Sequence, residues 1–244
     1  MTSPLHDLAQ RAAARAYTPY SGTPSAAVVA SADGRWIAAP RIESASFPLT
    51  VPALQGVWAL SLVAGLAPAA LAFDRAPTAE EAAFVAAVWP HMKARDGLFG
   101  THPASLEPDP VTLVRDGDLD ALAVGAADRA VVPASAFRVG AAVRDAGGRT
   151  VIGANVEHAG DWTRGLCAER VALVAARAAG LGEIAGVSVA CVAAPGGSPC
   201  GGCRQLLAEQ AAHATIRIWG GDAVRTTTAA ELLPGAFVGD GLGD

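Results

Sequence analysis

The sequence predicts an α/β fold made of two similar domains in tandem, each a mixed β-sheet layered between helices. The first observation behind this is that the chain aligns with itself. Positions 3–43 lie over positions 117–157 without a gap, and 15 of the 41 pairs are identical. They include Leu5/Leu119, Leu8/Leu122, Pro19/Pro133, Ser21/Ser135, Val29/Val143, Gly34/Gly148, Arg35/Arg149 and Glu43/Glu157. Matching of Ala-rich low complexity does not produce that range of residue types. After a one-residue insertion in the second copy the match resumes, with Pro52 opposite Cys167, Leu54 opposite Glu169 and Gly65 opposite Gly180. The second observation is the alternation of strand-length apolar runs with helical stretches, which implies a layered sheet with some parallel pairing. The third is that 244 residues, 52% hydrophobic and 17% charged, suffice for a buried core and exclude a disordered chain. Two copies are too few for a solenoid. The join falls near Asp116–Gly117, giving domains at 1–116 and 117–244.

Each copy repeats one pattern. An Ala-rich amphipathic helix, about 5–16 and 119–130, comes first. A Pro-containing turn leads to an apolar strand at 26–31 and 139–144. Asp33-Gly34 and Gly147-Gly148 are hairpin turns to partner strands near 35–39 and 149–153. A loop then delivers the chain to a helix at about 53–65 and 168–180, which Gly180 and Gly182 stop in the second copy. There the pattern continues with an apolar strand from Val187 to Val192, a loop of Pro, Gly and Ser, a helix from about Gly201 to Ala212, and a strand at 215–219.

Composition excludes several functions. Net charge is −5, Lys93 is the only lysine, and no basic run exists, so a nucleic-acid-binding face is not expected. Residues 1–10 contain His6 and Asp7 and no apolar core, which predicts no signal peptide. The stretch from Ser44 to Phe73 has no charge and is long enough to span a bilayer. Three prolines and two glycines interrupt it, however, and it covers the place of a helix that carries Glu169, Arg170 and Arg177 in the other copy. A helix buried on all sides at a domain contact explains the missing charges without a membrane.

Four cysteines remain: Cys167, Cys191 and the C-x-x-C pair Cys200 and Cys203. In a cytoplasmic protein they are expected to be reduced, so they read as metal ligands or catalytic groups before disulfides. Cys167-Ala168-Glu169 opens one predicted helix and Pro199-Cys200-Gly201-Gly202-Cys203 another. Three thiolates at two helix N-termini suit a tetrahedral Zn²⁺ with one position open for water. Glu169, two residues from a ligand, brings a carboxylate to that position, where it can shuttle a proton from activated water. The alternative is a structural zinc with Cys191 as fourth ligand. Cys191 lies mid-strand among apolar neighbours, where a buried free thiol is common, and a structural site gives no reason for Glu169.

Cys167-Ala168-Glu169-Arg170 followed by Ser198-Pro199-Cys200-Gly201-Gly202-Cys203-Arg204-Gln205 resembles the zinc signature of the cytidine deaminase family, in its short, three-cysteine form. The resemblance covers essentially the whole chain. Phe137 to Ala142, Asn155-Val156-Glu157 and Leu232 to Phe237 look like family segments, as do Ala16 to Ser21 and Ile42 to Leu49 of the first copy. It implies one zinc per chain, held by Cys167, Cys200 and Cys203, and a first copy that is degenerate, with Pro52 and Leu54 at the zinc and acid positions. It implies that Glu169 carries a proton to pyrimidine N3 and then to departing ammonia. The Ala168 N–H would meet the pyrimidine O2 and the Ser198 carbonyl the exocyclic amine. Asn155 and Glu157 would bind ribose hydroxyls, Phe137 would pack on the base, and Arg170 would donate to the cysteine sulfurs.

Three features depart from the family. The live copy comes second, whereas the two-domain form places it first. The 158–166 loop is one residue longer, with His158 and Trp162 in it, which leaves room for a modified nucleoside or another aminated heterocycle as substrate. The second copy has Val131-Val132-Pro133-Ala134 where aromatic residues are usual, while the first keeps Tyr17 and Tyr20. The leading expectation is hydrolytic deamination of cytidine or 2′-deoxycytidine in pyrimidine salvage; a catalytically silent zinc scaffold is the alternative from another class. The short form's tetramer implies a homodimer of this chain, a pseudo-tetramer, with the 53–65 helix buried at domain contacts and the Tyr17–Ser21 segment or neighbouring loops of the first copy completing the live site.

Overall fold

The duplication is visible in the backbone as two five-stranded sheets. A computed structural model describes residues 3–95, 98–237 and 239. The outer ends of the two expected domains, at 1–2 and 240–244, lie outside the described residues.

The first copy opens with α1 (Pro4–Ala13), whose N-terminus Ser3 caps by accepting the Leu5 N–H at 3.3 Å. Strands β1 (Ala26–Ala30) and β2 (Trp36–Pro40) form the first hairpin. Helix α2 (Ala53–Ala64), β3 (Ala70–Phe73), α3 (Ala79–Val88), β4 (Ala94–Arg95) and β5 (Leu98–Gly100) follow. The second copy runs through α4 (Leu119–Ala126), β6 (Val139–Asp145), β7 (Thr150–Ala154), α5 (Ala168–Ala178), β8 (Ile184–Cys191), α6 (Gly201–Gln210), β9 (Thr215–Trp219), β10 (Val224–Thr227) and α7 (Ala229–Leu232). The sheet orders are β2-β1-β3-β5-β4 and β10-β9-β8-β6-β7. The hairpin turns close on Gly34 and Gly148, at φ +88° and +86°. α2 and α5 end before Gly65 and Gly180, at φ +67° and +64°, as the glycine stops predict.

The copies differ at one sheet edge. In the second, α6 carries the chain back across the sheet, so β9 runs parallel to β8. In the first, the chain reaches outer β4 before inner β5, and β5 runs antiparallel to β3. The mixture of strand directions expected in both sheets therefore belongs to the second; the strands of the first sheet pair antiparallel throughout, with one isolated parallel bridge, Tyr17 to Ile42, beside it.

Helix α2 is uncharged because it has no solvent face to speak of. Nine of its twelve residues are buried. It packs on β1 and β2 of its own sheet, on α5, and on β7 of the other copy, while α5 reciprocates against β2. Gly56 allows the close approach, since a Cβ there would stand 3.1 Å from a Val174 methyl. No helix among the described residues is long and apolar enough to cross a membrane. The apolar face that suggested a second chain is thus already covered within this one.

The two copies meet about a pseudo-two-fold axis, and its signature is reciprocal bonding. Arg15 Nη1 donates to the Ala178 carbonyl at the end of α5. The equivalent Arg129 Nη1 donates to the Val63 carbonyl at the end of α2, at 3.1 Å. Gln55 Nε2 donates to the Arg164 carbonyl at 2.6 Å, and the equivalent Arg170 Nη2 to the Leu49 carbonyl at 3.0 Å. Residue i of one copy meets j of the other and the reverse, as an isologous interface requires. Residues 107–115 then stitch the two edge strands. Glu107 and Val111 N–H donate to the Gly34 and Trp36 carbonyls, while Ile152 N–H donates to Leu113 and Arg115 N–H to Thr150.

A guanidinium on the last carbonyls of a helix satisfies an unpaired acceptor and opposes the negative end of the dipole, worth about 1 kcal/mol. Arg129→Ala is therefore expected to lower the melting temperature by about 2–4 °C. Calorimetry on the full chain checks this, and an unchanged transition would contradict the interface role.

Candidate metal centre and active site

The site assembles where two helices begin. Cys167 is the N-cap of α5 and Cys200 the N-cap of α6, with Cys203 one turn further in. Gly153 lets α5 lie against β7, because a Cβ at 153 would fall 2.3 Å from the Ala172 nitrogen and 2.6 Å from the Ala168 carbonyl oxygen. Close helix-to-strand contact thus fixes where α5 starts.

The sulfurs of Cys167, Cys200 and Cys203 lie within 4.8 Å of one another. Cys167 and Cys200 Sγ are 3.8 Å apart. Three thiolates bound at about 2.3 Å in a tetrahedron would stand ~3.8 Å from one another, so the donor set and its spacing fit zinc. The electrostatics agree. Hydrogen bonds from the other two thiols hold Cys200 well below the ordinary thiol range, the contact with Cys200 and burial push Cys167 up, and its contacts with both other sulfurs push Cys203 up. Cys191, the fourth cysteine, is buried in β8 and is not part of the cluster.

Glu169 is buried, at 4% exposure, and burial pushes its carboxyl pKa up. A cleft of about 510 Å³ opens beside it. Its lining brings together Phe137, Asn155, Glu157, Cys167, Ala168, Glu169, Ser198 and Cys200, together with Trp162. The residues expected from distant parts of the sequence therefore share one cavity with two of the sulfurs.

The neighbourhoods of individual residues refine the expectations. Glu157 is buried, which disfavours its charge, but the Ser135 hydroxyl and the Ser135 and Ala134 N–H groups donate to it and hold its pKa below the usual range. Glu43 has the same bonds to Ser21 and Tyr20 in the copy that lacks cysteines. Asn155 Oδ1 accepts from Val139 N–H and its Nδ2 donates to the Phe137 carbonyl, both at 2.8 Å. Both side chains thus shape the cleft wall that carries Phe137. Arg170 Nη2 donates to the Leu49 carbonyl of the first copy, and among the described residues its buried Nε meets no acceptor.

Three features escaped the sequence reading. Arg204 staples the loop before α6, donating to the Pro199 carbonyl at 2.7 Å, the Ser198 hydroxyl at 3.0 Å and the Leu232 carbonyl at 3.1 Å. Its place in the motif was visible, but its three acceptors were not. Leu49 packs on Gly202, where a Cβ would meet its methyl at 2.8 Å, so the first copy presses on the C-x-x-C loop. The 158–166 loop docks on the first copy, with His158 against Trp58 and Phe84 at ring distances of 6.0 and 6.2 Å and Arg164 stacked 4.7 Å above Phe84. These contacts account for His158 and Arg164 in the loop. Trp162 faces the cleft mouth and is 68% exposed. The Tyr17–Ser21 segment does not reach this cleft, whose described lining comes wholly from the second copy; Tyr20 instead donates to Glu209 on α6 at 3.1 Å.

A cysteine triad with a buried carboxylate at paired helix N-termini defines the site of a zinc-dependent hydrolase. Two family models match this chain, both described as the cytidine and deoxycytidylate deaminase zinc-binding region, over residues 2–73 and 115–217. A cytidine deaminase of Halalkalibacterium halodurans is 39% identical over 127 residues, which span 50% of this chain and 93% of that protein. One from Mycobacterium tuberculosis is 39% identical over 122 residues, covering 49% of this chain and 87% of that protein. The crystal structure of cytidine deaminase from Burkholderia pseudomallei aligns with a TM-score of 0.46 at 38% identity, over 49% of this chain and 96% of that one. The chain belongs to the cytidine and deoxycytidylate deaminase family, and zinc is its metal.

With Pro52 opposite Cys167 and no cysteine before residue 167, metal analysis of the purified chain is expected to return one zinc per polypeptide. Two per chain, or none in protein never exposed to chelator, would contradict the site.

Proposed function

We propose that this chain hydrolytically deaminates cytidine and 2′-deoxycytidine to uridine and 2′-deoxyuridine, releasing ammonia, as a step of pyrimidine salvage. The observation that carries the reading is the sharing of one cleft by Cys167, Cys200, buried Glu169, Ala168, Ser198 and Phe137. In it the chain divides into a degenerate domain, 1–116, and a catalytic one, 117–244, and the reduced thiols suit the cytoplasm.

Zinc held by Cys167, Cys200 and Cys203 supplies Lewis-acid activation of water. The remaining work belongs to the chain. Glu169 takes up a proton and delivers it to N3 of the ring, then carries a second to the departing amine; its burial favours the protonated form that such delivery needs. Water contributes the oxygen at C4 and the amine leaves as ammonia, which balances the reaction. Ala168 is the first residue of α5, so its N–H has no acceptor within the helix and is available to the pyrimidine O2. The Ser198 carbonyl accepts from the exocyclic amine, in a loop that Arg204 holds in shape. Phe137 offers a flat apolar surface to the base. Three donors occupy Glu157, and a carboxylate has about four acceptor sites, so an acceptor remains for a ribose hydroxyl; Asn155 keeps one amide hydrogen.

Glu169→Gln preserves shape and removes the proton carrier. It is expected to keep zinc and fold while lowering kcat at least ~10²-fold, measured by ammonia release over cytidine, 2′-deoxycytidine, cytosine and base-modified analogues. Activity within a few-fold of wild type would mean that another group moves the proton. Absence of ammonia from every compound would leave the silent-scaffold reading in its place.

The pseudo-two-fold within the chain supplies one interface of a four-domain assembly. We infer that a second copy supplies the rest, making a homodimer. Light scattering is expected to give a mass near twice 24.5 kDa, and a monomer of full activity would rule it out.

A further inference from the structure

The first copy has lost its cysteines but not its cavity. A pocket of about 490 Å³ occupies the place in the first copy that the zinc cleft occupies in the second. Equivalent residues line both: Ser21 and Ser135, Glu43 and Glu157, and Phe47 and Trp162, each aromatic opening a 3₁₀ turn. What has changed is the floor, where Pro52 replaces Cys167, and one wall, where Arg41 replaces Asn155. The Ser–Glu wall and the aromatic at the mouth remain, and the group that would transform a ligand is gone.

We propose that this pocket binds a neutral pyrimidine nucleoside, and that its occupancy tunes the zinc site. The chemistry of the walls selects the ligand. Phe47 is 76% exposed at the mouth. A flat base would cover it. Arg41 spends one donor on Glu43, at 3.0 Å, leaving others for carbonyl or hydroxyl oxygens. Its charge is cancelled by Glu43, and Glu209 stands just behind Tyr20 and Ser44. The pocket therefore has no surplus positive charge to draw a phosphate.

Two physical links lead from this pocket to the metal ligands. The turn that begins at Phe47 ends at Leu49, whose side chain rests on Gly202 between Cys200 and Cys203 and whose carbonyl holds Arg170. On the opposite wall, Tyr20 and Ser44 donate to Glu209 at 3.1 and 2.7 Å, and Glu209 lies on α6, the helix that Cys200 caps and that contains Cys203. A ligand that shifts the 44–49 segment must move contacts of the zinc helices, which is a route for coupling between two sites.

The test is equilibrium dialysis of the zinc-loaded full chain against radiolabelled uridine, which the enzyme does not consume. The expected result is two uridines per chain in the wild type and one in Phe47→Ala. One uridine per chain in both would overturn the proposal, as would tighter occupancy of the extra site by uridine 5′-monophosphate than by uridine. Light scattering of Phe47→Ala is expected to show the wild-type mass. A changed mass with unchanged stoichiometry would assign Phe47 to a subunit contact and overturn the pocket. The coupling is read from inhibition of cytidine turnover; this arm, like the uridine that remains bound in Phe47→Ala, rests on the deaminase reading, whose failure would instead lower the counts to one in the wild type and none in Phe47→Ala. In the wild type uridine is expected to lower kcat by twofold or more as well as raise KM. In Phe47→Ala it is expected to raise KM only. In Ser44→Ala, which cuts a link to α6 but leaves Phe47, binding of two uridines with a diminished kcat effect is expected. Purely competitive inhibition in the wild type would refute the coupling.

Discussion

The packing of α2 against α5 is the contact on which the rest of the molecule depends. It places one helix from each copy in a shared layer, so each sheet is covered on that side partly by the other copy's helix. Because the contact is close to isologous, its central hydrogen bonds occur twice, once in each direction. Arg15 and Arg129 cap opposite helix ends, and Gln55 and Arg170 reach opposite loops. The zinc site inherits its geometry from this arrangement. Cys167 caps a helix seated in the layer, Arg170 is tied to the first copy, and the 158–166 loop rests on Trp58 and Phe84. The first copy is therefore part of the catalytic domain's foundation although it contributes no described residue to the cleft.

Comparison of the copies separates architecture from chemistry. A feature kept in both serves something both still do. The clamp of Glu43 on Ser21 and Tyr20, and of Glu157 on Ser135 and Ala134, survives where zinc cannot bind, so shaping the wall is its common purpose. The arginines at 15 and 129 survive because the interface needs them from both sides. Features present in one copy mark what one copy does. Cys167, Glu169 and Asn155 face Pro52, Leu54 and Arg41.

Much of this was legible in the residues. The repeat gave the two-copy architecture because identities such as Pro19/Pro133 and Glu43/Glu157 sit at a constant spacing. Strand and helix bounds came close wherever glycine marked an end, as at Gly65 and Gly180, and the strand 215–219 coincides with β9. The cysteine triad was legible because helix-start spacing constrains where Sγ atoms point. Less was legible where the answer depends on contacts distant in sequence. No periodicity reveals that β5 enters its sheet antiparallel to β3, or that Leu49 lies on Gly202. Of the odd residues of the 158–166 loop that left the substrate open, His158 meets the first copy while Trp162 lines the cleft. The uncharged 53–64 helix pointed to a domain contact, and the domain it meets is the other half of the same chain.

The asymmetry between the copies also has an energetic logic. Cys167 and Pro52 occupy the same N-cap conformation, with φ −66°, ψ 157° and φ −60°, ψ 146°, so proline fits without disturbing the start of the helix. Two residues on, Glu169 and Leu54 are buried alike, at 4% and 2% exposure. A buried carboxylate is disfavoured unless it is paired or protonated, and leucine in the same place is not. Three crowded sulfurs likewise need a cation to share their charge. A copy that keeps the chemistry keeps these unfavourable terms, whereas a copy that abandons it replaces them with apolar packing and a stiffer backbone. The degenerate copy is thus the half of the duplication in which the shared layer can be packed for stability alone, and it braces the half that cannot.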